Sequence, residues 1–243
     1  MKIIDAYWEE NNLGLKSYEI ILTQDDDINE FLLKEKQLRA DGAGYIVAKV
    51  PVNVGTFLFE LPKAGYIFME ASFDLSLRKQ NYVCPNYVER FDRNMSVKEI
   101  ASPSDADRIY TEISKNIFDN DRIALDKALG KKIANTRYIN WIKSLVAKGE
   151  PIYEVYSGDK PIGFFILEHM DKDKVRGILT GLYTDYAASG YGALIMKKLY
   201  DTVWAAGYKM YYAKVVSNNI KAIRANLLFG SVLDNISYHY VKK

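Results

Sequence analysis

Gly181-Leu182-Tyr183-Thr184-Asp185-Tyr186-Ala187-Ala188-Ser189-Gly190-Tyr191-Gly192-Ala193-Leu194-Ile195-Met196 reads as the end of a strand, a turn of small residues and the start of a helix. A turn of this kind leaves backbone N–H groups unpaired at a helix N-terminus, where the positive end of the macrodipole also points. Such an end seats a phosphate or pyrophosphate. Gly190 and Gly192 let the main chain approach that ligand closely, because no Cβ intervenes. A plain strand–helix turn of an α/β protein would share these features, so the surrounding chain must decide.

Downstream, Ile195, Met196, Leu199, Tyr200, Val203 and Trp204 recur at helical spacing and Gly207 follows. A strand over 208–216, a helix over 219–229 and a last strand over 232–241 complete this end. Upstream lies a meander of strands, 152–156, 162–167 and 175–184, joined by polar turns. It is preceded by helices carrying Ile109, Ile113 and Ile117, then Arg137, Tyr138 and Trp141. Ser102-Pro103-Ser104-Asp105 is expected to cap the first of these. The N-terminal third reads as strand 16–22, a helix capped by Thr23-Gln24-Asp25-Asp26-Asp27, strand 45–50, a short helix over 53–60 and a long strand over 66–77. The irregular stretch 81–96, with Cys84-Pro85-Asn86, reads as a linker. This predicts a small α/β domain over 1–80 and a larger domain over 97–243. Val50-Pro51-Val52-Asn53 ahead of Gly65-Tyr66 parallels Val216-Ser217-Asn218-Asn219 ahead of Gly230-Ser231. The first half is thus readable as a reduced copy of the second half's ending, although helix–Gly–strand is common in itself. It holds no strand–Gly-x-Gly–helix, so no cofactor is placed there.

Composition narrows the function. Apolar residues make up 49%, which is globular, and 33 Lys plus Arg against 31 Asp plus Glu argue against a nucleic-acid footprint. No stretch approaches the roughly 20 apolar residues that span a bilayer, and acids at Asp5, Glu9 and Glu10 interrupt any signal-peptide core. One cysteine forms no internal disulfide, which fits a cytoplasmic setting; with two histidines, a metal site is not expected. The glycine turn lacks the third Gly or Ala of a dinucleotide fingerprint, since Ile195 stands there, and it lacks the Gly-Lys of a P-loop. No Gly-x-Ser-x-Gly elbow exists, and nothing in the sequence places a serine beside His169 or His239.

The order of parts resembles the GNAT superfamily of acyl-CoA-dependent N-acetyltransferases, whose turn is Arg/Gln-x-x-Gly-x-Gly/Ala. Ala187-Ala188-Ser189-Gly190-Tyr191-Gly192 matches it except at the first position. The superfamily's Asn opening the next helix, Ala three residues on and Gly eleven on are matched by Asn219, Ala222 and Gly230. The chain is also similar to the dTDP-fucosamine acetyltransferases, in Trp8 to Gly14, Gly65-Tyr66, Asp121-Arg122-Ile123 with Asp126, and Arg137 to Ile142.

The resemblance implies a mixed central sheet flanked by helices, an α/β (α+β) fold, behind a smaller N-terminal α/β domain. It implies acetyl-CoA as co-substrate, held by Leu182, Thr184, Ala188, Ser189, Gly190, Tyr191, Gly192, Ala193, Asn218, Asn219 and Ala222. The acceptor would be a nucleotide-linked amino sugar whose phosphates meet Arg122 and Arg137, although both also read as ordinary helix cations. Asn226 stands where the superfamily often has the tyrosine that protonates the departing thiolate; its amide hydrogen-bonds sulfur but supplies no proton. Tyr183 is the candidate facing the cleft. A GNAT enzyme for another amine and a non-catalytic acyl-CoA-binding module are the alternatives. No nucleic-acid or membrane partner is expected, and a homodimer is carried as an expectation.

Overall fold

The computed structural model describes residues 1–100, 103–187 and 189–243; Ser102, expected in a helix cap, and Ala188 lie outside the described residues. The chain runs β1 (Lys2–Asp5), α1 (Tyr7–Leu13), β2 (Ser17–Ile21), α2 (Ile28–Ala40), β3 (Tyr45–Pro51), α3 (Gly55–Lys63) and β4 (Ile67–Arg78). It continues through α4 (Asn86–Phe91), β5 (Met95–Glu99), α5 (Asp107–Ser114), α6 (Arg122–Leu125) and α7 (Gly130–Ala147). The rest is β6 (Ile152–Ser157), β7 (Lys160–Asp171), β8 (Lys174–Leu182), α8 (Tyr191–Ala205), β9 (Met210–Val216), α9 (Ile220–Leu228) and β10 (Val232–Lys242). Local chemistry sets the helix starts: Asp27 accepts from the N–H groups of Asn29 and Glu30, and Asp121 from those of Ile123 and Ala124.

All ten strands join one mixed sheet in the order β1-β2-β3-β10-β4-β9-β8-β7-β6-β5. The C-terminal strand therefore sits among N-terminal strands. The reason is an internal pseudo-twofold. β3, α3 and β4 correspond to β9, α9 and β10 with a constant offset of 165 positions (45 to 210, 55 to 220, 67 to 232). Each unit pairs two strands in parallel, β2 with β3 and β8 with β9, then lends its last strand to the other unit. Ser237↔Pro51 is mirrored by Ser72↔Val216, and Ser72↔Ser237 lies on the axis. The Val-x-x-Asn likeness is one position out of this register: at the structural offset Asn53 falls on Asn218, Val54 on Asn219 and Gly65 on Gly230.

One face of the sheet carries α2 and α3 over Ile46, Ala48, Val50 and Tyr240, and α8 and α9 over Leu75, Leu77, Tyr211 and Ala213. Fully buried Phe31, Phe57, Leu61, Leu199 and Phe229 anchor these layers, each side chain contributing roughly 1.5–3 kcal/mol by leaving water. α5 and α7 cover Phe164 and Ile166 on the opposite face, and α6 and α7 cover Tyr45, Val47 and Val241 there.

Residues 81–96 are not a free linker. Tyr82 stacks on Phe229, Val83 N–H donates to Phe229 O, Val88 is buried and Met95 opens β5. The exchange of β4 and β10 likewise removes any seam at residue 80. β1, α1, α4, β5 and α6 carry too few apolar residues in period to be read from sequence, and tertiary neighbours hold them: α1 packs on α7 and β2, α6 on α7 and β4, and β5 on β6 and α8.

Candidate active site

The site begins where β8 leaves the sheet. β8 and β9 pair only from Lys174↔Met210 to Gly177↔Ala213, yet β8 runs on to Leu182 and β9 to Val216. Beyond that point the two strands form a wedge whose facing backbone groups are not paired with each other. On its other side the β7 register slips between Ile166↔Leu179 and Leu167↔Gly177, so Ile178 is an extra, bulged residue that re-aims the strand. The turn after β8 leads into α8 through Gly190, at φ 82, which gives no side-chain cap to the helix. A Cβ at Gly190 or Gly192 would meet nothing within 4 Å. Ser189 and Gly190 are exposed, and Tyr191, Gly192 and Ala193 half-buried. Ser189 Oγ donates to Tyr186 O at 2.5 Å and Tyr191 N–H approaches Ser189 Oγ at 3.4 Å. An open helix N-terminus with clear space beside its glycines fits a diphosphate. Thr184 and Leu182 precede it on the same segment. Asn218 is exposed across the wedge, and Asn219 Oδ1 accepts from Ala222 N–H, which leaves the Asn219 NH2 group to donate to a ligand.

The two expected catalytic side chains lie elsewhere. Tyr183 is 3% exposed and its hydroxyl donates to Glu154 Oε1 at 2.6 Å, within the α5–α7 core. Burial, reinforced by that bond, pushes its pKa up, so it faces away from the wedge as a fixed donor. Asn226 is buried against α8: its Nδ2 donates to Ala222 O at 2.9 Å and its Oδ1 accepts from Tyr200 at 3.2 Å. Its carbonyl and one of its two N–H donors are engaged internally, and the side chain is buried at 4% exposure between α9 and α8.

Tyr211, which the sequence did not single out, is 2% exposed in the core beneath α8 and turns its hydroxyl toward Gly177. Its ring meets Tyr200 edge-on and its hydroxyl lies 2.2 Å from where a Cβ on Gly177 would stand, at the last β8/β9 pair. Burial raises its pKa well above the ordinary phenol, so it carries its proton. The available signal was Gly177, since a glycine inside a strand often marks a close approach.

Two carboxylates steady the segment leading into the turn. Glu112 Oε2 accepts from Thr184 N–H at 2.8 Å; burial opposes its charge, but Lys115 and this N–H outweigh it and lower its pKa. Glu154 accepts from Arg108 at 3.0 Å, from Tyr183 and from Tyr156.

Arg122 and Arg137 are held in a buried ion cluster. Glu9, 0% exposed, accepts from Arg122 at 2.5 Å and from Arg137 at 2.9 Å, and Arg137 also donates to Asp121. Arg122 lies 3.5 Å from Glu19 and 3.8 Å from Glu70. Burial disfavours the Arg122 charge, yet these carboxylates hold it firmly protonated. A guanidinium so engaged is not open to a substrate phosphate. The structure also places a serine beside a histidine, contrary to the sequence reading: Ser72 Oγ is 3.0 Å from His239 Nε2. Among the described residues no helix is long and apolar enough to cross a membrane, and no group of three or more His, Cys, Asp or Glu is placed to hold a metal ion.

Comparison with known proteins agrees with this geometry. No curated protein matches the sequence. A GCN5-related N-acetyltransferase from Sphaerobacter thermophilus superposes with a TM-score of 0.67 at 10% identity, over 99% of this chain and 75% of that one. A tandem GNAT protein from the clavulanic acid biosynthesis pathway gives 0.57 at 11%, over 94% and 75%. A GCN5-related glucosamine N-acetyltransferase region of a fungal multi-domain β-N-acetylglucosaminidase gives 0.65 at 13%, over 98% of this chain and 30% of that one. At such identities the likeness is one of fold. Residues 120–226 match the acetyltransferase (GNAT) family, a stretch running from α6 to α9.

Proposed function

We propose that the chain transfers an acetyl group from acetyl-CoA to the amine of an amino sugar. The observation that carries this reading is the open, uncapped glycine start of α8 beside the β8/β9 wedge. Ser189 to Ala193 would cradle the diphosphate, Asn219 would hold the pantetheine arm through its NH2 group, and the unpaired edge of β8 would polarise the thioester carbonyl. Acetyl-CoA supplies an acyl carbon already activated as a thioester. Tyr211 would protonate the sulfur at the base of the wedge, the task for which Asn226 is wrongly placed. General acid catalysis of this kind contributes roughly 10²–10⁴-fold.

Fold likeness to a region named for glucosamine N-acetylation supports an amino-sugar acceptor. A nucleotide on that sugar would need cations other than Arg122 and Arg137, which the ion cluster occupies. The test is thiol release from acetyl-CoA with glucosamine, dTDP- and UDP-linked 3-amino and 4-amino deoxysugars, and a lysine peptide. Turnover of a sugar supports the proposal, and the free and linked sugars rank the nucleotide's part. Turnover of the peptide alone, or acetyl-CoA binding without release, overturns it.

A further inference from the structure

The sheet face opposite α8 is open beside the wedge. α5 and α7 cover that face over β7, and α6 and α7 cover it over β3 and β10. Between these covers β9 alternates. Tyr211, Ala213 and Val215 are buried toward α8, at 2%, 9% and 8% exposure. On the other face Lys214 is exposed, and Tyr212 and Val216 are half-buried. Lys214 follows Ala213, whose pairing with Gly177 is the last between β8 and β9. It is therefore the first β9 residue on the wedge, and the one lysine in the two stretches that bound it, 178–182 and 214–216. Its Nζ lies 2.8 Å from Oδ1 of Asp74, the residue opposite it on β4, and the two side chains are 55% and 34% exposed. An ion pair that open to water is weak. The flexible four-carbon stem lets the nitrogen leave Asp74 and swing over the wedge, of which its own backbone is a wall. Lys174, on the same face of β8, stands opposite Met210 at the other end of the paired stretch and is tied to Asp171 at 3.2 Å.

We propose that Lys214 is a self-acetylation site: the chain transfers an acetyl group from the acetyl-CoA in its own wedge to Lys214 Nζ. The proposal rests on the acetyl-transfer reading above, because it needs the thioester between β8 and β9. The Lys214 ammonium first gives one proton to solvent. The neutral nitrogen then bonds the acetyl carbon while the carbon–sulfur bond breaks and its electron pair stays on sulfur. The nitrogen's surplus proton ends on that sulfur. The products are an N-acetyl-lysine, the coenzyme A thiol and the proton released at the start, and no further reactant is required. Holding amine and thioester on one chain replaces a bimolecular encounter by an internal one, which sets Lys214 apart from exposed lysines elsewhere. The amide formed is uncharged, so the modification ends the ion pair and leaves the Asp74 carboxylate without that cation.

The test incubates the whole chain with acetyl-CoA carrying an isotope-labelled acetyl group and follows each lysine by peptide mass spectrometry. Lys214 should acquire label about 100-fold faster than exposed Lys160 and Lys172, which report background chemical acetylation. The rate should not depend on protein concentration; a rate that rises in proportion to it overturns transfer within one chain. Gly192→Asp, at an acetyl-CoA concentration that saturates only the wild type, should bring Lys214 down to the background rate. Fast labelling retained in that variant overturns the route through the α8 turn. D74N unties the nitrogen and removes the charge that favours its ammonium form, so it should speed labelling about threefold. A rate no higher than that of the wild type overturns Asp74 as the restraint. Calorimetric binding of acetyl-CoA with Lys214 labelled no faster than Lys160 and Lys172 overturns the self-acetylation alone. No binding by calorimetry overturns the acetyl-transfer reading and the self-acetylation with it.

Discussion

The two repeated units share a backbone plan and differ in what fills it. In the C-terminal unit the helix after the first parallel strand is preceded by Gly190, which has no side chain to cap it, and only Ser189 Oγ, 3.4 Å from Tyr191 N–H, stands over its first turn. In the N-terminal unit the same place holds Asp25, Asp26 and Asp27; Asp27 caps α2 with its own carboxylate, and Asp26 takes the chain's amino terminus. A carboxylate of the chain itself occupies the helix N-terminus that Gly190 leaves without a cap in the other unit. The offset extends the contrast: Asn219 corresponds to Val54 and Tyr211 to Ile46. One unit carries Asn219 and Tyr211, and its twin has Val54 and Ile46 in hydrophobic core at the same places.

If the N-terminal unit serves as an abutment, the ion cluster joining it to α6 and α7 should matter most. Glu9→Gln leaves two buried guanidinium groups short of a carboxylate and should lower stability by about 3–5 kcal/mol, read from chemical denaturation. A loss under 1 kcal/mol would show that the cluster is not the joint. Tyr211→Phe, which makes the C-terminal wedge as apolar there as its twin, should reduce kcat about 100-fold at pH 7 with acetyl-CoA affinity kept.

Gly192→Asp carries the contrast itself across the axis. A carboxylate at the α8 start should preserve the helix, and even cap it, while weakening acetyl-CoA binding about 100-fold, or about 2.7 kcal/mol, by calorimetry. Unchanged affinity would remove the diphosphate from this turn. The converse change, Asp27→Ala, should create no acetyl-CoA site and cost about 1 kcal/mol as a lost cap.

A smaller effect concerns pH. The His239 pKa is depressed on folding, so above about pH 6.5 the ring is neutral in both states and contributes no slope. As pH falls below that value the unfolded chain takes up the proton first, and stability declines until the folded ring is protonated too. Unfolding midpoints measured between pH 7.5 and 5 should fall, and His239→Gln should flatten that part of the profile. An equal slope in both proteins would assign it to other groups.

Local chemistry alone determined the α8 turn, the Asn219 cap, the strand meander and most helices, because glycine, capping oxygens and hydrophobic period act within a few residues. The faint repeat around Asn53 and Asn218 was also visible, since a shared unit leaves turn residues at shared spacing. Only the tertiary structure decided that β4 and β10 change places, that Arg122 and Arg137 are spent on Glu9, and that Tyr211 turns its hydroxyl toward Gly177 while Asn226 bonds Tyr200. It alone set Ser72 beside His239, 167 positions apart in the chain. Those outcomes depend on which face of a strand or helix meets which partner. That is settled by pairing and burial between distant segments, where residue order leaves no trace.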